Sequence, residues 1–262
     1  MTEVPIRPAA TIVVVTEAPE LRVAMLRRRE ASSFVGGMSV FPGGGVDEHD
    51  RDDRWAASHP HPTAAERLPL DDAQAYWIAA IRETWEEANL FLGSPAPPPR
   101  RRFEVDRGDR HFHDAIGSAQ LDQESLVPIG RWITPPGAPR RYDTIFFVAS
   151  IPTPAAIEPD GTEAVTAEWV TPATALAEFS AGNRAMLPPT SVTLEIISTY
   201  PDAATLVRAA RAAAPLADQH RLHRLQVGDA EPQYYLPGQS APSHARPAEG
   251  WISIGNHTPG TE

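Results

Sequence analysis

The sequence predicts an α+β fold. Three observations carry that expectation: a β-branched run near the start, one long amphipathic helix in the first half, and strand patterns that return before a series of helices. Taken in order, Ala10 to Thr16 is the β-branched run and reads as a strand. Leu21 to Leu26 alternates apolar with polar residues and ends in Arg27, Arg28 and Arg29. Met38 to Phe41 reads as a short strand closed by Pro42 and three glycines. Asp47 to Leu70 is rich in Asp, His and Pro without a clear period, and reads as a long surface insertion.

The best helix runs from Asp71 to Leu92. Asp71 or Asp72 caps its start, and Ile78, Ile81, Trp85, Ala88 and Leu92 recur at spacings of three and four. Asn89 and Gly93 suit its exit, and the proline-rich stretch from Ser94 to Arg100 is an extended connector. Phe103 to Ser125 gives mixed signals, helical in its second half. Strands are expected at Leu126 to Ile133, Tyr142 to Ser150 and Ala164 to Val170. Helices are expected at Pro172 to Phe179, Pro189 to Thr199 and Asp202 to Ala214. Beyond Gly228 the chain is rich in Pro, Gly and His, and only Tyr234 to Leu236 and Trp251 to Ile254 show a pattern.

Composition removes several classes of chemistry. The 262 residues contain 34 acidic and 23 basic side chains, a net charge of −11, with no cysteine and no lysine. Without cysteine there is no disulfide framework, thiolate zinc site or cysteine nucleophile. Without lysine there is no Schiff base and no phosphate-loop lysine. The acidic balance argues against a nucleic-acid or anionic-membrane partner. No apolar run approaches the ~18–20 residues of a membrane span, and the N-terminus with Glu3 and Pro5 does not read as a secretory signal. A cytoplasmic protein is expected.

The chemistry concentrates in Arg82-Glu83-Thr84-Trp85-Glu86-Glu87. Glu83, Glu86 and Glu87 stand at i, i+3 and i+4, so the three carboxylates project from one side of the helix, opposite the apolar stripe. Like charges at this spacing repel, and a divalent cation relieves the repulsion; an oxygen-only set suits Mg2+ or Mn2+. The alternative is a solvated acidic face. Against it stands Phe41-Pro42-Gly43-Gly44-Gly45, a turn that lets the backbone approach a ligand and offers carbonyls to a metal. Arg82, four residues before Glu86, is placed to orient it.

These residues resemble the Nudix hydrolases. That family's signature is a Gly, five residues, a Glu, seven residues, then Arg-Glu, an apolar residue, any residue, Glu-Glu, any residue, Gly. Here Gly44 takes the first position, Asp50 stands where Glu is usual, and Arg82, Glu83, Glu86 and Glu87 complete the second half. Thr84 is not apolar, and Asn89 replaces the last glycine. Arg51 to Ile81 separate the halves where the common signature has seven residues, and such an insertion costs little closure entropy. A long-insert branch similar to acyl-coenzyme A diphosphatases is suggested by Arg131-Trp132-Ile133-Thr134-Pro135, Arg141-Tyr142-Asp143-Thr144, Trp169-Val170-Thr171-Pro172 and Leu187-Pro188-Pro189-Thr190. Met25 to Arg29, followed by Ser33 to Gly37, keeps only the general shape of the motif common in coenzyme A-cleaving relatives.

The resemblance implies a Nudix-type α/β/α sandwich with a mixed sheet over about residues 8–200, with the insertion at about 51–70. Residues 201–262 are expected to pack on or extend it as a C-terminal helix and irregular tail. It further implies that Glu83, Glu86, Glu87 and the Gly44 carbonyl hold Mg2+ or Mn2+. Arg82 belongs with the catalytic set, and Glu163 is a further ligand, the water-activating base, or a solvated loop residue. Arg27, Arg29 and Arg141, with the backbone of Gly43 and Gly44, are candidate contacts for a small diphosphate substrate; the arginines are also plain surface charges by the alternative reading. His59, His61, His111 and His113 read as exposed loop residues sooner than as a metal site, and Phe34 and Trp132 as core sooner than base-stacking rings. The implied activity is metal-dependent hydrolysis of a diphosphate in a nucleoside-diphosphate derivative, coenzyme A or acyl-coenzyme A first. A non-catalytic ligand-binding module and a nucleoside-triphosphate pyrophosphohydrolase stay open beside it, as does a homodimer.

Overall fold

Alternation along the central strands gives the sheet two apolar faces, and each face receives its own helices. The computed structural model describes residues 4–17, 19–31, 36–68, 70–215, 217–227 and 232–255. Its first strands are β1 (Ile6–Thr16), β2 (Arg22–Arg28), β3 (Ser39–Val40) and β4 (Gly43–Gly45). Helices α1 (Asp53–Ser58) and α2 (Ala73–Ala88) follow, then β5 (Gly93–Ser94), α3 (Arg102–Asp106), α4 (Phe112–Ile116) and β6 (Gln120–Leu121). Next come β7 (Val127–Ile133), β8 (Arg141–Ser150), β9 (Ala164–Val170), α5 (Pro172–Ser180), α6 (Pro188–Ile197) and α7 (Ala203–Ala212). The last are β10 (Arg221–Leu225), β11 (Gln233–Tyr235) and β12 (Arg246–Ile252).

The main sheet runs β11-β10-β12-β7-β8-β1-β2-β3, with β4 also on β1 and β9 also on β2. β1 and β8 are parallel, in register from Ile6 opposite Arg141 to Val15 opposite Ser150, and their neighbours pair antiparallel. A parallel pair needs a long crossover, and the segment carrying α2 supplies it. Ala10, Ile12, Val14, Ile145, Phe147 and Ala149 pack beneath α2 with Trp77, Ile78, Ile81 and Trp85. Val13, Val15, Phe146 and Val148 face the other way, onto Val192, Leu194 and Ile196 of α6 and Leu206 and Ala210 of α7. The result is the layered, mixed-sheet α+β arrangement expected from the sequence. No helix among the described residues is long and apolar enough to cross a membrane.

Three segments differ from expectation. The insertion is not a bare surface loop: α1 and a turn of 3-10 helix at Thr63–Arg67 organise it, and Trp55, His59 and Leu68 are buried. Trp55 packs against Phe112 and His113 and donates its indole N–H to the His49 carbonyl at 2.8 Å. Single anchors do this work, and single anchors leave no period to read. Residues 103–125 hold two short helices, α3 and α4, where one was expected. In the last part of the chain, β10 was not foreseen; its Leu222 and Leu225 are buried, but five residues with two apolar positions give a weak signal. β12 then joins β7 through Gly250 opposite Trp132 and Ile252 opposite Gly130, so these strands extend the main sheet.

Candidate active site

Helix α2 is buried nearly all round. It ends at Asn89, whose φ of 56° is left-handed, the conformation expected where glycine is usual. Asp72 occupies the cap position, but its carboxylate goes to Arg51 at 2.8 Å instead of the helix N–H groups. Thr84, the polar residue in the apolar place, is fully buried and donates to the Ala80 carbonyl at 2.8 Å, which satisfies it within the helix. Opposite the apolar stripe, β4 and α3 pack on the helix and close over the side where a solvated acidic face was the alternative. Glu86 and Glu87 are 6% and 7% exposed. A solvated face does not look like this.

Arg82 organises the cluster. Its Nε and Nη2 donate to the two Asp50 carboxylate oxygens at 3.0 and 2.8 Å, a bidentate pair. Nη1 donates to Glu83 Oε1 at 2.8 Å and Glu86 Oε2 at 3.2 Å, and Nη2 also reaches the Gly45 carbonyl at 2.8 Å. Asp50 is buried and accepts from the Asp47 N–H at 2.8 Å as well. Despite the insertion that separates it from Arg82, Asp50 returns to the same guanidinium.

The glycine turn sets the spacing. A Cβ on Gly44 would lie 2.5 Å from the Glu83 carboxyl carbon, and one on Gly43 would lie 2.6 Å from Thr11 Cα. The Gly43 N–H donates to Glu87 Oε2 at 2.9 Å. Gly44 stands opposite Ala10, in phase with the bonded pairs Ile12 to Pro42 and Val46 to Pro8. By ladder alternation its carbonyl is drawn into the sheet, leaving one lone pair where the sequence suggested a free group.

Of the three consecutive arginines, Arg28 reaches the cluster, where sequence reasoning had selected Arg27 and Arg29. It lies 3.7 Å from Glu87 and 2.6 Å from Glu163, bridging the two. Arg27 instead pairs with Glu30 at 3.6 Å in solvent, and Arg29 donates to the Thr162 and Gly161 carbonyls. The signal was strand alternation: Ala24 and Leu26 face α2, so Arg28 shares their side. Arg141 is buried and donates to the Thr134 carbonyl at 3.0 Å. Thus the structure gathers Arg82, Glu83, Glu86, Glu87, Gly43 and Gly44, holds Glu163 at the edge through Arg28, and leaves Arg27 apart. Phe34 lies outside the described residues. Trp132 is core, edge-on to Tyr234 at 5.6 Å between ring centroids. The histidines correct the exposed-loop reading at one point, since His59 is buried.

Electrically the cluster is unbalanced. Asp50, Glu83, Glu86, Glu87 and Glu163 face two guanidiniums. Burial, then its acidic neighbours, drives the Glu87 carboxyl well above the ordinary range, and burial raises Glu83 against the pull of Arg82. Burial pushes Glu86 up to about 9. For Arg82, burial opposes the charge, and Glu83 and Asp50 overcome it, so its pKa is raised. One atom tests whether a cation fits: Glu86 Oε1 is buried and has no hydrogen-bond partner. A buried carboxylate oxygen without a donor, among carboxylates in excess, is a site for positive charge. Among the described residues no three acidic or histidine side chains stand together in an arrangement ready to hold a metal ion. The unpaired Glu86 Oε1 is the oxygen here that fits a hard cation such as Mg2+, which takes one or two carboxylates and shares the rest with water and phosphate.

Comparison with known proteins agrees with this geometry. Over 78% of the chain and 96% of the other, the fold superposes on a NUDIX hydrolase from Alicyclobacillus acidocaldarius, with a TM-score of 0.68 and 26% identity. Fold and carboxylate cluster together define a Nudix domain. The model of the family described as NUDT19 Nudix domain matches residues 57–196, and the chain belongs to that family. Among curated relatives, the human acyl-coenzyme A diphosphatase NUDT19 is 29% identical over 62% of this chain and 56% of its own length. The Gallus gallus protein of the same name is 27% identical over 70% of this chain and 65% of its own. The match therefore spans less than two thirds of either relative.

Proposed function

We propose that this protein is a Mg2+- or Mn2+-dependent hydrolase that cleaves the diphosphate of a nucleoside-diphosphate derivative, with coenzyme A or acyl-coenzyme A as the first substrate. The observation that carries the reading is the buried carboxylate excess around Arg82, with Glu86 Oε1 left unpaired. A degenerate binding module has no use for an intact set of this kind, which costs stability while it stands uncompensated. The named activity of the curated relatives supplies the substrate class.

Glu83, Glu86 and Glu87, with the remaining lone pair of the Gly44 carbonyl, would hold the divalent ions. When bound, such ions supply positive charge to the diphosphate oxygens and make water more acidic. The chain's own residues do the rest. Arg82 fixes the rotamers of Glu83 and Glu86, and is itself clamped by Asp50. Gly43 holds Glu87 from the backbone. Arg28, 18% exposed, stands at the mouth between Glu87 and Glu163 and is the cation available to a substrate phosphate. Glu163, 55% exposed, is assigned as the group that takes the proton of the attacking water, because it meets solvent while tied to Glu87 through Arg28.

The test is product release from coenzyme A, acyl-coenzyme A, ADP-ribose, NADH, nucleotide sugars and nucleoside triphosphates, each with Mg2+ or Mn2+. Metal-dependent turnover of a diphosphate ester is expected, with Glu86→Gln lowering it at least ~100-fold. Release of inorganic diphosphate from a triphosphate would replace this reading with a pyrophosphohydrolase. Ligand binding without turnover would replace it with a binding module.

A further inference from the structure

The loop that presents Glu163 is held by residues outside the signature. Arg102 of α3 is 2% exposed, and its guanidinium is bonded to main-chain carbonyls. Nη1 donates to the Glu86 carbonyl at 2.8 Å and to the Glu158 carbonyl at 3.1 Å, and Nη2 to the Pro159 carbonyl at 3.3 Å. We propose that Arg102 and Asp160 are positioning residues that fix where Glu163 stands relative to the α2 carboxylates, an assignment that rests on the hydrolase reading above.

The end of α2 explains why a guanidinium sits there. The last carbonyls of a helix lack helical N–H partners. The Leu90 N–H, four residues after Glu86, turns back to the Thr84 carbonyl at 3.4 Å. The Glu86 carbonyl is therefore an open acceptor at the negative end of the helix, where a cation is favoured. Arg102 fills it. The Ala88 carbonyl takes the Glu158 N–H at 3.1 Å, and Asn89 Nδ2 donates to Glu158 Oε2 at 3.3 Å. One guanidinium nitrogen bonded to helix and loop together sets their separation.

Asp160 carries that placement on to Glu163. Its Oδ2 accepts the Glu163 N–H at 2.9 Å, and its Oδ1 accepts the Ala164 N–H at 2.8 Å and the Thr162 N–H at 3.2 Å. Arg29 closes the loop from the strand side. Its N–H donates to the Glu163 carbonyl at 2.7 Å, its Nε to the Thr162 carbonyl at 3.0 Å and its Nη2 to the Gly161 carbonyl. Loops are ordinarily the mobile part of a fold, yet here main-chain groups of 158, 159 and 161–164 are all bonded. These bonds converge on the residue that must meet an attacking water within hydrogen-bond reach.

The test is a set of double-mutant cycles on octanoyl-coenzyme A hydrolysis with Mg2+. Glu163→Gln should lower kcat about 100-fold. Arg102→Lys cannot bridge three carbonyls, and Asp160→Ala empties the half-buried turn; each should lower kcat about tenfold with KM held within about twofold. Combined with Glu163→Gln, neither should lower kcat further, because a residue acting through Glu163 then has nothing left to place. Hydrogen exchange gives a second reading: amides of 158–164 should exchange at least about tenfold faster in both variants, and those of 73–85 should not change. Asp160→Ala decides alone if Arg102→Lys does not fold. If Glu163→Gln lowers kcat and the other losses multiply with it, the positioning assignment is overturned and the hydrolase reading stands. Unchanged exchange of 158–164 would overturn the assignment as well. Full kcat in Glu163→Gln would overturn it together with the role given to Glu163. Faster exchange of 158–164 with no turnover of octanoyl-coenzyme A, coenzyme A or ADP-ribose would sustain the anchor and sink the hydrolase reading.

Discussion

Gly44 and Asp50 show how single residues set the site. The Cβ of Gly44→Ala would collide with the Glu83 carboxylate, which is the free end of a side chain and can move away. Stability should therefore change by less than ~1 kcal/mol, while turnover falls about 100-fold, because a carboxylate displaced by about 1 Å no longer meets its partner correctly. Urea denaturation beside steady-state kinetics checks both halves. Asp50 behaves in the opposite sense. Its side chain is 1% exposed and carries the bidentate half of the Arg82 network. Asp50→Ala leaves that guanidinium buried with fewer partners and the Asp47 N–H without its acceptor, and should cost about 3 kcal/mol in the same denaturation experiment. A shift below ~1 kcal/mol would mean that Glu83 and Glu86 suffice to hold Arg82. Both positions were legible as signature residues. Arg28 was not singled out, since three consecutive arginines look alike until the strand's facing is known.

At the level of elements, the segment read as a surface insertion is docked on the fold by buried anchors. Gln74 of α2 donates to the His59 carbonyl at 2.7 Å, and Ser58 Oγ lies 2.9 Å from His59 Nδ1 and 3.2 Å from His113 Nε2. Burial, with His113 adding to it, holds the His59 pKa below its ordinary value. The folded state thus keeps His59 neutral, while the unfolded chain takes up a proton below about pH 6.5. This contribution to stability is whole above that pH and is lost as pH falls through the folded value. His59→Phe should flatten the decline of Tm between about pH 7 and pH 5 relative to the wild type. An unchanged slope would show that the decline comes from other groups. The insertion's order was illegible because its contacts are long-range: α1 reaches α4 through Trp55 and Phe112, far apart in sequence. Helix α2, by contrast, was readable because its repeat is internal.

Across the whole molecule, the last strands belong to the same sheet as the first. Leu222 is fully buried in the core shared by α6, α7, β1 and β8. Leu222→Ala should cost about 2–5 kcal/mol. If residues 221–252 fold with the rest, tryptophan fluorescence and far-ultraviolet circular dichroism will report one shifted transition; separate transitions would mean that the last strands melt alone. Gly250 shows why no shorter pattern announced this pairing. A Cβ there would lie 2.7 Å from the Trp132 ring, so the strand approaches β7 only because the residue is glycine.

The sequence alone determined the local periods and the order of elements: two-residue alternation in β1 and β8, the three-and-four spacing of α2, and a set of glutamates that share one helix side. It also carried the signature that points to a Nudix fold. Only the tertiary structure decided that this acidic side is buried, that Asp50 closes on Arg82 across the insertion, and that Arg28 is the arginine facing Glu87. Periodicity fixes which way a side chain leaves its own element. What it meets there depends on chain segments brought together by the burial of both sheet faces, and no local pattern encodes those meetings.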